Sequence, residues 1–81
     1  MKTDVAIMSI ILKDGEQAET VNALLHEYAP RIIGRMGIPY RAKGIHIISI
    51  ALDAPEKEIG ELAGRIEALP GVRVKTVLAG E

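Results

Sequence analysis

The chain repeats a strand pattern at an interval of forty residues: Ile7-Met8-Ser9-Ile10 returns as Ile47-Ile48-Ser49-Ile50, and Pro30 returns as Pro70. Two copies of one supersecondary unit within 81 residues leave few folds open. Residues 5–12 (VAIMSIIL) are an Ile-rich apolar run closed by Lys13-Asp14-Gly15, the pattern of a buried central strand, β1. Asp14 is placed to cap the next segment, with Gln17 in capping-box position and Glu16 at the positive end of the helix dipole. Val21, Leu24, Leu25 and Tyr28 fall at i, i+3, i+4 and i+7, one face of an amphipathic helix, α1, that Pro30 ends. Residues 31–38 (RIIGRMGI) read as a strand, β2; its glycines, with Pro39 and Gly44 in the connection that follows, suit a sheet edge. Residues 45–52 (IHIISIAL) form a second strongly apolar strand, β3, closed by Asp53-Ala54-Pro55. Pro55 fits the first turn of a helix, α2, in which Ile59, Leu62, Ala63, Ile66 and Leu69 keep core-facing spacing until Pro70-Gly71. Residues 72–78 (VRVKTVL) alternate apolar and polar and make β4.

The order β-α-β-β-α-β, with right-handed crossovers, interleaves two βαβ units into a four-stranded antiparallel sheet of order 4-1-3-2 with both helices on one face. This is an α+β, ferredoxin-like plait, and residues 1–81 are expected to form one domain. Period-2 phasing turns Met8, Ile10, Leu12, Ile48, Ile50 and Leu52 toward the helices. The other face then carries Ile7, Ser9, Ile11, Ile47, Ser49 and Ala51, and the reversed phase leaves a similarly apolar open face.

A monomer rarely exposes such a patch. A chain this short also buries only about 60% of its unfolded surface, so its own core leaves a thin margin of stability. A second copy would supply both cover and stability. A homo-oligomer, dimer or tetramer, held by the sheet face, by edge pairing or by both, is therefore expected, with Arg35, Arg73 and Lys75 at its rim.

Composition narrows the chemistry. With no cysteine there is no disulfide framework, thiolate metal site, iron–sulfur ligation or cysteine nucleophile. Ten Lys plus Arg against eleven Asp plus Glu, and two tyrosines, give neither a basic field nor a stacking platform for nucleic acid. No apolar run approaches the ~20 residues that span a bilayer, and Met1-Lys2-Thr3-Asp4 leads into a strand pattern, so a cytoplasmic protein is expected.

No catalytic or metal constellation stands out. His26 falls on the solvent side of α1 and His46 opens β3, far apart in sequence. Ser9 and Ser49 sit mid-strand without the base or sharp turn a nucleophilic serine needs. Glu61 and Arg65 read as an i, i+4 surface pair. Gly60 and Gly64 flank the core face of α2, where close approach of a helix or ligand would justify them. The most suggestive stretch is residues 34–44, which gather Arg35, Arg41, Lys43, Tyr40 and three glycines. Backbone amides and arginine forks there could cradle a small anion, which makes Arg35, Tyr40, Arg41 and Lys43 candidate ligand contacts. A solvated connection is the alternative.

Five segments in order and in register carry a family resemblance: Ile7-Met8-Ser9-Ile10-Ile11-Leu12, Val21-Asn22-Ala23-Leu24-Leu25-His26, Arg35-Met36-Gly37-Ile38-Pro39, residues 59–65 (IGELAGR) and residues 70–76 (PGVRVKT). Over residues 4–79 the chain resembles the small iron-only hydrogenase system regulators. That family is ACT-like, similar in fold to the C-terminal regulatory domain of nickel-responsive repressors, and its genes accompany FeFe-hydrogenase maturation. The resemblance implies an oligomeric regulatory domain without catalysis or cofactor. The repressors carry a ribbon-helix-helix segment ahead of that domain and a nickel site of several histidines and a cysteine. Here a strand pattern starts at Val5 and two separated histidines stand without cysteine, so neither direct DNA binding nor nickel sensing is expected to carry over. Three readings stay open: a regulatory module that binds a small anionic ligand, an assembly protein that binds a hydrogenase-system protein and senses nothing, and a small enzyme with an inter-subunit site.

Overall fold

Alternation along β1 decides the architecture. In a computed structural model that describes residues 2–13, 15 and 17–80, β1 (Asp4–Lys13) buries every second residue. Ala6, Met8, Ile10 and Leu12 are almost wholly buried, while Val5, Ile7, Ser9 and Ile11 face outward. β3 (Ile45–Ala54) follows the same parity with Ile48, Ile50, Leu52 and Ala54 inside. The two central strands pair antiparallel around Ser9 opposite Ser49, the centre of the sequence repeat. β4 (Val72–Leu78) flanks β1, and β2 (Ile32–Tyr40) flanks β3, giving the order β2-β3-β1-β4 expected of the plait.

Both helices cover the inner face. α1 (Ala18–Glu27) inserts Val21, Leu24 and Leu25, and α2 (Glu56–Glu67) inserts Ile59, Leu62 and Ile66, into one apolar cluster with the inward strand residues. α2 starts directly after Pro55, whose fixed φ and missing N–H suit a helix entry. The expected cap Asp14 and its neighbour Glu16 lie outside the described residues, and Gln17 occupies the N-cap position of α1.

Two local readings are corrected. β2 begins after a 3₁₀ turn at Ala29–Arg31 and continues through Pro39 and Tyr40, paired opposite His46 and Ile45, so Pro39 belongs to the strand and not to the connection. An outer strand has one side without a ladder partner, so a residue lacking N–H is accommodated there. The connection shrinks to a 3₁₀ turn at Arg41–Lys43, closed by Gly44 at φ +63°, a left-handed backbone that glycine adopts without strain. The second correction concerns Arg65, which forks onto Glu27 of α1 at 3.0 and 3.2 Å instead of pairing along its own helix with Glu61. Its guanidinium also donates to the Tyr28 hydroxyl at 3.2 Å and lies 5.9 Å from the centre of that ring. Two parallel hydrogen bonds and a ring contact outweigh one exposed i, i+4 pairing.

Candidate functional site

Strand parity collects the outward residues onto one uninterrupted surface. Ile7 stands opposite Ala51, Ser9 opposite Ser49 and Ile11 opposite Ile47, so the six expected interface residues form three adjacent cross-strand pairs. β2 extends this face with Gly34, Met36, Ile38 and Tyr40, and β4 with Arg73, Lys75 and Val77. Ile7 and Ile11 each remain 44% exposed, Met36 53% and Val77 66%. Apolar side chains from all four strands thus meet with no layer of described residues over them, a patch of the kind that marks an interaction surface.

Charge is unevenly placed around it. At the end where β1 finishes, Lys13 stands opposite Ile45 and Arg73 opposite Ile11, and the turn at Arg41–Lys43 follows Tyr40. At the other end Asp53 stands opposite Val5 and is exposed. A cleft of about 470 Å³ at the β4 border is lined by Ser9, Ile11, Arg73 and Lys75 from this face and by Glu67 from α2.

The four candidate anion contacts divide. Tyr40, Arg41 and Lys43 lie within four residues of one another at the basic end. Arg35 is five residues from Tyr40 and so points to the opposite side of the sheet, roughly 17 Å along the strand. There its guanidinium donates to Asn22 Oδ1 of α1, above a shallow cleft of about 270 Å³ that His26 also lines. Asn22 was not legible as an anchor from composition, but the parity of β2 would have turned Arg35 toward α1. Arg73 and Lys75 join the open face by the same alternation. His46 is half-buried at the end of β3, opposite Leu12 and Pro39. Among the described residues no three His, Cys, Asp or Glu side chains cluster closely enough to hold a metal ion, and no helix is long and apolar enough to cross a membrane.

The helix layer is tied by two arginine forks. Arg31 donates to Glu58 at 3.1 and 3.2 Å, joining the turn after α1 to the start of α2, and Arg65 holds Glu27 as described above. The hydrogen bond and charge of Arg65 keep the Glu27 carboxyl below the usual carboxylate range, and Glu27 and the Tyr28 hydroxyl in turn raise Arg65.

Residues 4–76 match the TM1266-like family model, described as "Iron-only hydrogenase system regulator, putative". Among solved structures, the uncharacterised protein TM1266 from Thermotoga maritima superposes with a TM-score of 0.92 at 36% identity, covering 98% of this chain and 100% of that one. The ACT domain of GTP pyrophosphokinase from Chlorobium tepidum superposes with a TM-score of 0.77 at 13% identity, covering 100% of this chain and 92% of that one. A formyltetrahydrofolate deformylase from Pseudomonas putida shares the fold over 91% of this chain and 28% of its own, at a TM-score of 0.66 and 19% identity. No curated protein matches the chain.

Proposed function

The chain belongs to the TM1266-like family of iron-only hydrogenase system regulators, and from that membership we propose that it works as a single, non-catalytic ACT-like regulatory domain that assembles with copies of itself. The observation that carries this reading is the uncovered apolar sheet face, since all four strands contribute to it and nothing in the described chain packs over it. In this reading Ile7, Ser9, Ile11, Ile47, Ser49 and Ala51 form the centre of a contact with a second copy. Burying aliphatic side chains at ~1.5–3 kcal/mol each would supply the stability that a short chain's own core lacks.

The regulatory input in this reading is a small anion, a carboxylate or phosphate, taken at the basic end of the face where two copies meet. Tyr40, Arg41 and Lys43 are its proposed contacts. Arg35, anchored on Asn22, would act from the helix side by setting the position of β2. A partner protein of the hydrogenase system would read the ligand-dependent state.

The test is the subunit number of the wild type and of Ile47→Asp, measured by native mass spectrometry and sedimentation. Ile47 is only half-buried, so the aspartate is accommodated by the monomer but not by an apolar contact. The expected result is an oligomer that loses subunits on substitution with unchanged circular dichroism. A wild type that is monomeric at micromolar concentration overturns the reading.

A further inference from the structure

Three arginines reach the helix layer, and two of them meet a carboxylate there. Arg31 forks onto Glu58, and Arg65 onto Glu27. Arg35 donates instead to the neutral amide oxygen of Asn22, and among the described residues it has no acidic partner. Its charge is therefore uncompensated, and Asn22 occupies one of the five N–H donors of its guanidinium, leaving the rest for a further acceptor. Glu19 lies one turn before Asn22 along α1, yet Arg35 takes the amide. The cleft of about 270 Å³ at this place is lined by three polar side chains, Arg35, Asn22 and His26, and by three apolar ones, Leu25, Ala29 and Ile32. Gly37 follows Arg35 on the inner side of β2 without a side chain, and a Cβ there would meet nothing within 4 Å, so the strand leaves room beside the guanidinium.

We propose that this cleft between α1 and β2 binds the carboxylate of a small organic monoanion, whose hydrocarbon body lies against Leu25, Ala29 and Ile32. The guanidinium supplies the planar fork that matches a carboxylate, and the Asn22 amide nitrogen and a ring N–H of His26 supply flanking donors. A dianion such as phosphate is disfavoured here. His26 stands in the last turn of α1, where the helix dipole presents its negative end, and Glu19 adds a negative charge one turn before Asn22. A neutral molecule would leave the Arg35 charge without a counter-ion. The site lies on the helix side of the sheet and needs no second copy, which separates it from the anion contact proposed at Tyr40, Arg41 and Lys43. Its donors come from α1 and from β2, so an occupant ties the outer strand to the helix layer.

The probe is sodium butyrate, titrated into isotopically labelled protein and followed by heteronuclear NMR at constant ionic strength. The expected result is a saturable shift of the Asn22 side-chain amide and the Arg35 Nε–H, with a dissociation constant of about a millimolar. Acetate, shorter by two methylenes, should bind about fivefold weaker, and butanol and inorganic phosphate about tenfold weaker or less. Asn22→Asp sets a carboxylate against Arg35, as Glu58 and Glu27 stand against Arg31 and Arg65, and should weaken butyrate about tenfold with unchanged circular dichroism. Arg35→Gln should do the same by removing the fork, whereas the double variant Arg41→Ala, Lys43→Ala should bind butyrate as the wild type does. Absence of saturation, undiminished binding by Asn22→Asp or Arg35→Gln, shifts confined to residues 40–43, or phosphate binding as tightly as butyrate overturns the proposal.

Discussion

At the scale of residues, Arg65 is the side chain whose role changes most between sequence and structure. Its charge is exposed, so what sets its partner is geometry: a carboxylate fork and a ring within reach on α1. Glu27 is held below the ordinary carboxylate range by that arginine. A carboxyl whose pKa falls on folding stabilises the fold above its unfolded pKa, and that contribution disappears as pH drops through the folded value. Glu27→Gln keeps an acceptor for Arg65 but removes the charge. Thermal melts should therefore find the wild type slightly more stable than Glu27→Gln at pH 7, with the gap closing below about pH 4. Because both groups are exposed, the gap should also shrink in high salt, where the screening length falls to about 3 Å at 1 M.

At the scale of elements, glycines separate those the backbone needs from those it does not. Gly44 ends the Arg41–Lys43 turn at φ +63°, so Gly44→Ala should lose about 1 kcal/mol. Gly60 and Gly64 lie inside α2, and a Cβ at either meets no atom within 4 Å. Each alanine there should gain about 1 kcal/mol through helix propensity, which chemical denaturation of the single variants would measure. The close approach that the sequence suggested for these two positions is absent from the chain's own packing. The strands and helices were legible because Met8, Ile10, Leu12, Val21, Leu25, Ile59 and Leu62 keep clean 2 and 3.6 periods, which burial enforces. The end of β2 was not, since Pro39 is a breaker in any local rule and only its outer position in the sheet excuses it. The same error left Tyr40 in the connection, although it continues the strand that holds Arg35 and parity sends the two side chains to opposite faces.

At the scale of the whole molecule, the open apolar face was legible and the way a second copy would lie on it was not, because that depends on which charges share an end of the sheet. Two two-fold arrangements can cover the open face with a second copy. With the axis along the strands, Lys13 and Arg73 of one copy lie near the same residues of the other and repel. With the axis across the strands, that basic end lies over the end of the partner that carries Asp53, and potentials are complementary. The second arrangement predicts that Asp53→Lys weakens the face contact, as does Lys13→Asp alone, while the double swap recovers much of the loss. Sedimentation of the three variants at low salt would measure this, and the recovery should fade as salt is raised, since rim charges are screened. If the swap only adds the two losses, these residues do not meet, and the copies stack with like ends together.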